Sequence, residues 1–266
     1  DGKQLFEDQE IELKYASNGY LIIKQVFDQK WKLLSTSGNV IIEHQDSIRF
    51  DGTYFSALQE DHWSVYNRFG RKLSIKTFEE VGDPVSNLLP VKRLGYWTLM
   101  DFQGKLLTNP RYDEILGGDN NRIVVNYLGS LGVIDSYGAW VLRPSFEEVK
   151  VLEEAILAKK KGRYFVFGLD GVQRFSIPCD ELRIDSGLIA IRQGENWGML
   201  NRSGEYLADP IYREVGQVGT FLYGKGEGYV SLFYADGSQV ANANHGIQDI
   251  SDEKENLYRV TIDDRI

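Results

Sequence analysis

The segment Trp97-Thr98-Leu99-Met100-Asp101-Phe102-Gln103-Gly104 shows a pattern that recurs along the chain: an aromatic residue or leucine, then apolar residues, then a turn glycine. The first residues of these segments, the anchor positions, are Trp31, Trp63, Trp97, Leu131, Tyr164, Trp197 and Tyr229. The glycines are Gly38, Gly70, Gly104, Gly138, Gly171, Gly204 and Gly237, spaced by 32, 34, 34, 33, 33 and 33 residues. A period of this size indicates a repeat architecture in which each unit is one supersecondary element.

The pattern continues past the glycine to a corner. Four of the six prolines, Pro110, Pro144, Pro178 and Pro210, lie six or seven residues after their glycine. Acidic residues follow the corner in one register: Glu79-Glu80, Asp113-Glu114, Glu147-Glu148, Asp180-Glu181 and Glu214. We expect one member of each pair to bond backbone amides at the corner; the alternative is a circle of carboxylates that attracts cations or a basic partner.

Each unit reads as four short extended pieces. A β-rich run such as 188–192 leads through a tight turn into the anchor-bearing strand, and a glycine turn, a third strand, the proline corner and a short fourth piece follow. Val, Ile, Leu and Tyr fill the strands, whereas Gly, Asn, Asp and Ser mark the turns. No convincing amphipathic helix is present, so the sequence predicts an all-β fold of about eight units.

The two ends of the chain favour a closed arrangement of these units within a single domain, 1–266. Residues 257–266 align with the start of a unit and residues 1–6 with its later part, so one unit is split between the termini. A propeller commonly closes its ring in this way. A propeller-like closed toroid is therefore favoured, and an open β-solenoid is the alternative, because four-stranded propeller blades commonly need about 40 to 45 residues.

The repeat resembles the WG-repeat family of bacterial proteins. The residues that carry the resemblance are Trp197-Gly198, Leu131-Gly132, Asp101-Phe102-Gln103-Gly104, Asp135-Ser136-Tyr137-Gly138 and Pro110-Arg111-Tyr112-Asp113. The strict Trp-Gly pair occurs only at Trp197-Gly198. The resemblance implies a repeat scaffold, often of the cell envelope, with no catalytic residues to carry over. An extracytoplasmic location, in the cell envelope or secreted, is therefore favoured over the cytoplasm.

Composition argues against several classes of partner and site. The 266 residues carry a formal net charge of −9, and a protein that neutralises nucleic-acid phosphates needs a basic face. No apolar run approaches the roughly 18 residues of a membrane span, so we expect no direct membrane insertion. The only cysteine is Cys179, and the three histidines, His44, His62 and His245, lack metal-ligand spacing. We therefore predict no cofactor, no metal site and no catalytic residues.

The anchors and one irregular segment are the residues to which we assign roles. Trp31, Trp63, Trp97, Tyr164 and the Trp197-Gly198 pair recur once per unit, which predicts a packing role. Partner contacts are expected where the pattern breaks, since repeat folds tolerate insertions on one face. The clearest break is the segment 82–90, which holds the two off-pattern prolines. The candidate partner-contact residues are Asp83, Pro84, Val85, Leu88, Leu89, Pro90 and the off-pattern Trp140.

Two functional hypotheses follow from these observations. The first is a non-catalytic repeat scaffold that mediates protein–protein interaction, and it predicts binding without turnover. The second is a lectin-like module that recognises surface or cell-wall glycan through exposed aromatic residues such as Trp140 or Tyr96. An enzymatic reading would require His, Asp and Glu residues gathered from distant units.

Overall fold

The computed structural model describes residues 11–17, 19–25, 27, 29–35, 37–185, 188–241, 247–254 and 257–262. These residues form 28 β-strands and no α-helix, so none of them belongs to a helix that could span a membrane. The all-β prediction is confirmed. Residues 1–6, on which the split unit depends, lie outside the described residues, and the closed ring stays a prediction.

The strands form eight antiparallel sheets that follow one another along the chain. Sheets 1 to 4 contain β1 (Ile11–Ser17), β2 (Tyr20–Gln25), β3 (Trp31–Ser35), β4 (Val40–Gln45); β5 (Ser47–Phe50), β6 (Tyr54–Gln59), β7 (His62–Asn67); β8 (Glu80–Val81), β9 (Leu89–Arg93), β10 (Tyr96–Met100); and β11 (Glu114–Asp119), β12 (Arg122–Tyr127), β13 (Ser130–Asp135), β14 (Trp140–Phe146). Sheets 5 to 8 contain β15 (Glu148–Val151), β16 (Ile156–Lys160), β17 (Arg163–Phe167), β18 (Gln173–Pro178); β19 (Glu181–Asp185), β20 (Leu188–Gln193), β21 (Asn196–Leu200), β22 (Tyr206–Tyr212); β23 (Glu214–Val218), β24 (Phe221–Lys225), β25 (Val230–Phe233), β26 (Gln239–Ala241); and β27 (Ile247–Lys254), β28 (Leu257–Ile262).

Each complete sheet is a meander in which neighbours in sequence are neighbours in space. The short piece after the corner does not close its own sheet: Glu148–Val151, for example, pairs with the following strand, Ile156–Lys160, and so begins the next sheet. In sheets 2 and 3 the last strand is reduced to isolated bridges, such as Trp63 to Phe78 and Trp97 to Tyr112. The sequence repeat and the sheet are therefore offset by one strand.

Successive sheets share hydrophobic cores within each of two compact units, Asp1–Pro144 and Ser145–Ile266. In the first unit, one cluster joins Leu33 of sheet 1 to Phe55 of sheet 2. In the second, a cluster joins Val166 of sheet 5 to Ile191 of sheet 6. Because a single sheet of two to four short strands cannot bury its own apolar side chains, packing on neighbouring sheets supplies the burial that stabilises it.

A row of acid, cation and aromatic residues crosses the first three strands of several sheets. In sheet 6 the row is Glu181, Arg192 and Trp197, which are paired residue by residue across β19, β20 and β21. The same register gives Glu12–Lys24–Trp31, Glu80–Lys92–Trp97 and Glu148–Lys159–Tyr164. Opposite charges and a cation over an aromatic face both stabilise cross-strand neighbours, so the row fixes the strand register.

The glycine after the Trp197 anchor is required by a close approach of the backbone. A Cβ atom at Gly198 would lie 2.8 Å from the carbonyl oxygen of Ala208 and 2.8 Å from the nitrogen of Pro210. The register between β21 and β22 shifts at this point, which brings the proline corner over the glycine. Gly132 meets Leu142 and Pro144 in the same way. The glycine of the Trp-Gly pair thus leaves the space in which the backbone at the corner proline packs.

The first residue of each corner pair caps a hairpin turn of the following sheet. The Asp180 carboxylate accepts a hydrogen bond of 2.7 Å from the amide of Gly194. Equivalent bonds run from Gly95 to Glu79, from Gly129 to Asp113, from Lys161 to Glu147 and from Glu60 to Asp46. One member of each of the four predicted pairs thus bonds a backbone amide, as expected, but the amide lies in a hairpin turn of the following sheet and not at the corner.

Candidate functional site

The anchor residues lie at the margins of the shared cores. Trp31, Trp63, Trp97, Tyr164 and Trp197 are half-buried, and each packs against one of the hydrophobic clusters. Their other contact is a cation: Lys, in sheets 1, 3 and 5, or Arg, in sheets 2 and 6, lies over the ring. Gly198 is buried beneath the corner.

The segment 82–90 is only partly a surface loop. Val85 and Leu88 are buried in a core cluster and bond to each other through both backbone pairs, Leu89 is fully buried, and Pro90 is buried within β9. These four residues therefore offer no surface to a partner, because their apolar side chains hold the segment against the sheets. Among the candidates in this segment, only Asp83 and Pro84 are exposed.

Trp140 is half-buried at the start of β14. Its ring meets Tyr112 edge-on at a centroid distance of 6.0 Å and lies 6.0 Å from Tyr127. The guanidinium carbon of Arg111 lies 5.6 Å from the same ring. Trp140 thus takes part in an aromatic cluster of sheets 3 and 4. Tyr96, the other aromatic residue named for glycan binding, is 48% exposed.

A cavity of about 300 Å³ opens beside Asp83, at the first strands of sheets 1, 2 and 3. Its polar lining consists of Lys14, Arg49, Asp51, Tyr54, Ser56 and Asp83, and we call it the Arg49 pocket. Two cations and two carboxylates thus converge on one cavity. Convergent polar groups in a concave site are the usual mark of a binding site.

Arg49 is held in place by its neighbours while its side chain stays exposed. Its guanidinium carbon lies 3.9 Å from the ring centroid of Trp63, and one terminal nitrogen donates a hydrogen bond of 3.2 Å to the carbonyl oxygen of Val81. Stacking on tryptophan leaves the edge of the planar guanidinium available for further hydrogen bonds.

Lys14 repeats this arrangement one sheet earlier. Its ammonium lies 5.2 Å from the ring centroid of Trp31 and donates a hydrogen bond of 3.0 Å to the carbonyl oxygen of Ile48. Both cations therefore bridge from the first strand of one sheet to the first strand of the next. This hydrogen bond uses one of the three N–H donors of the Lys14 ammonium, and the other two can bond a ligand.

The two carboxylates and the tyrosine complete the pocket. Asp51 accepts hydrogen bonds from the amides of Thr53 and Tyr54, at 2.8 and 2.9 Å. The Tyr54 hydroxyl donates to the carbonyl oxygen of Gly82 at 3.2 Å. Burial, together with the charges of Asp51 and Asp83, raises the pKa of Tyr54 well above its ordinary value. Tyr54 therefore stays protonated and acts as a structural donor.

A related cavity of about 440 Å³ occurs in the second unit, 134 residues further along the chain. Arg183, Asp185 and Trp197 stand at the positions of Arg49, Asp51 and Trp63, and we call this cavity the Arg183 pocket. The Arg183 guanidinium carbon lies 4.1 Å from the Trp197 ring centroid. Its Nε donates to Glu181 at 2.7 Å, whereas the residue equivalent to Glu181 in the first unit is Ser47.

The sequence predictions missed Lys14, Arg49, Asp51 and Tyr54. A signal was present in the sequence, because the pattern Arg-x-Asp occurs at Arg49-Phe50-Asp51 and again, four sequence repeats later, at Arg183-Ile184-Asp185. A residue that recurs in every sequence repeat is explained by packing, whereas a pattern found in only some repeats calls for a separate explanation. Within the described part of the chain, no group of three or more His, Cys, Asp or Glu side chains is arranged to hold a metal ion.

Comparisons with known proteins yield structural likeness alone. No family model and no curated protein matches the chain. Similar solved structures include PorZ, an essential bacterial surface component of the type IX secretion system of Porphyromonas gingivalis, at 13% identity and a TM-score of 0.33 over 94% of this chain and 43% of PorZ. Hsv2p of Kluyveromyces lactis has 11% sequence identity and a TM-score of 0.34, over 95% of this chain and 96% of Hsv2p. BBS1N in complex with ARL6DN has 14% identity and a TM-score of 0.30, over 85% of this chain and 88% of BBS1N. At these values we base no conclusion about function on them.

Proposed function

We propose that the chain is a non-catalytic repeat scaffold of the WG-repeat type that binds another protein, in a bacterial cell-envelope or secreted assembly. The observation that carries the binding role is the fixed loop beside the Arg49 pocket. Val85 and Leu88 hold the loop in the core, while Asp83, Pro84 and Asn87 face solvent. A loop that is already ordered loses little conformational entropy when it binds.

The chemistry of the pocket suits recognition better than reaction. Tyr54 keeps its proton because burial raises its pKa, and the arginine and lysine side chains of the pocket are hydrogen-bond donors with no acceptor atom. The charged groups are held by stacking and by backbone bonds, which gives them direction. Fixed charges of this kind set partner choice and orientation at an interface.

Affinity capture from host fractions tests the proposal. The tagged chain is compared with Pro84→Trp, which adds a bulky side chain to the exposed loop and leaves the charges of the pocket unchanged, and with Ser203→Trp, a matched change at an exposed residue of the second compact unit. We expect one protein in near-stoichiometric amount with the unaltered chain and with Ser203→Trp, and at least a tenfold loss with Pro84→Trp, whose ring would block contact with the loop. Circular dichroism checks that all three chains fold.

Two outcomes would overturn the proposal. Equal capture by all three chains would show that the partner does not contact the loop beside the Arg49 pocket, on which the proposal rests. Capture of no protein, together with binding on a glycan array that is lost on Tyr96→Ala, would favour the lectin-like function instead.

A further inference from the structure

The two cations of the Arg49 pocket differ from the cations of the rows that cross the sheets. In the rows that cross the sheets, Lys24, Lys92, Lys159, Arg192 and Lys225 each pair with a carboxylate. Lys14 and Arg49, by contrast, have no carboxylate oxygen within 4.0 Å among the residues that the structure describes. This is so although Asp51 and Asp83 line the same cavity.

The scaffold itself keeps these opposite charges apart. Arg49 is tied to the Trp63 ring and to the Val81 carbonyl, and Lys14 to the Ile48 carbonyl. Asp51 is turned toward the backbone amides that follow it. Each group is anchored separately, which keeps the opposite charges apart, and both Lys14 and Arg49 line the cavity.

In the Arg183 pocket the equivalent arginine has a carboxylate as its hydrogen-bond partner. There the stacked guanidinium donates to the carboxylate of Glu181, two residues earlier on the same strand. Residues i and i+2 of a strand lie on one face, so Ser47 occupies the corresponding place beside Arg49. Ser47 brings no carboxylate to that place. Sheet 2 therefore has the same stack of an arginine on a tryptophan as sheet 6, but it lacks the carboxylate that bonds the arginine in sheet 6.

We propose that the Arg49 pocket binds a carboxylate of the partner protein, in the place that Glu181 fills beside Arg183. The inference rests on the proposed binding function and names its chemistry. Arg49 supplies a planar fork of donors that matches a carboxylate, and Lys14 supplies a second cation. Asp51 and Asp83 line the cavity as well, so a singly charged carboxylate is favoured over a phosphate dianion, which their charges would repel more strongly. A cavity of about 300 Å³ accommodates one acidic side chain or a chain terminus.

The test exchanges the residues at equivalent positions of sheets 2 and 6, so that a carboxylate is added beside Arg49 and removed beside Arg183. Ser47→Glu supplies the missing carboxylate to Arg49, Glu181→Ser removes it from Arg183, and Glu148→Ser is the matched control in a row with no arginine–tryptophan stack. The probes are a glycine-flanked peptide with a single glutamate, acetylated at its N-terminus and amidated at its C-terminus, and the same blocked peptide with glutamine, so the glutamate side chain is the only carboxylate. Binding is followed through the five tryptophan indole N–H signals in two-dimensional NMR, assigned by single Trp→Phe variants.

We expect the glutamate peptide to shift the Trp63 signal of the unaltered chain and of Glu148→Ser, and the glutamine peptide to leave it unmoved. Ser47→Glu should weaken the effect at Trp63 at least tenfold, and Glu181→Ser should create a new response at Trp197. Equal responses to both peptides, or an unchanged Trp63 response in Ser47→Glu, would overturn the carboxylate site.

The capture experiment separates this inference from the function on which it rests. If Ser47→Glu still captures the partner protein at full yield while Pro84→Trp does not, the scaffold function stands and the carboxylate site fails. If neither variant changes capture, the binding role assigned to this face fails as well.

Discussion

The backbone at Gly104 passes directly against the carbonyl group of Leu73 in the preceding sheet. A Cβ atom at Gly104 would lie 1.8 Å from the Leu73 oxygen, and the glycine has φ of +88°. The turn glycine of the repeat therefore has two tasks: it adopts a left-handed backbone conformation, and it lets the turn rest on the neighbouring sheet.

Alanine substitution separates these two tasks. Gly104→Ala should lower the free energy of unfolding by about 3 kcal/mol, the sum of left-handed strain and of a clash that the backbone of Leu73 must relieve. The matched control is Gly95→Ala, with φ of +79° and no atom within 4 Å, which should cost only about 1 kcal/mol. Urea unfolding measures both. Equal losses would show that the close approach contributes nothing.

The caps that reach from each corner to the following hairpin should be measurable one at a time. Asp180→Ala removes the acceptor of the Gly194 amide and should lower the free energy of unfolding by about 1 kcal/mol. Glu195→Ala, an exposed change in the same turn, should leave it within about 0.5 kcal/mol of the unaltered chain. If the two variants unfold at the same urea concentration, the cap has no energetic role.

The Glu181 carboxylate gives a pH-dependent contribution to stability. Hydrogen bonds from Arg183 lower its pKa below the ordinary value of 4.5, with Arg192 adding to the effect. A lowered pKa in the folded state stabilises the fold above the ordinary pKa, and this contribution is lost as the pH falls through the lowered pKa. Glu181→Gln should therefore be less stable than the unaltered chain at pH 6, and the difference should vanish in strong acid. A difference that is constant with pH would contradict the assignment.

The single cysteine should be unreactive in the folded chain. Burial, with the nearby Asp180 charge, raises the pKa of Cys179 to about 11, so little thiolate exists at neutral pH. A thiol reagent at pH 7.5 should label the folded chain on the order of a hundredfold more slowly than the chain in urea. Comparable rates in the two conditions would mean that the region around Cys179 opens readily.

The repeat made the fold predictable from sequence, since the spacing of glycines and prolines locates turns and corners without knowledge of tertiary contacts. The strand after each corner is a different case: its own sequence is compatible with either sheet. Its pairing with the following strand, as of β19 with β20, and the capping of Gly194 by Asp180 show that it belongs to the next sheet. Periodicity therefore located strands and turns and left open which sheet the strand after each corner joins.

The candidate site was less predictable because burial is a collective property. Leu88 and Leu89 stand in a proline-flanked break of the pattern, which suggests a surface loop, yet they fill cores that the neighbouring sheets leave open. Arg49 looks like an ordinary surface residue until the Trp63 ring is found beneath it. In a repeat protein the informative residues are those that differ between equivalent units, as Ser47 and Glu181 do.

The sharing of each core by two successive sheets also determines how disturbances spread within a unit. A sheet that opens uncovers the apolar face of its neighbour, so damage passes along the chain from one sheet to the next, whereas sheets that share no core are affected only through intermediates. A destabilising substitution is thus felt mainly by adjoining repeats. The chain can accumulate changes in one repeat while more distant repeats in the unit keep their shape.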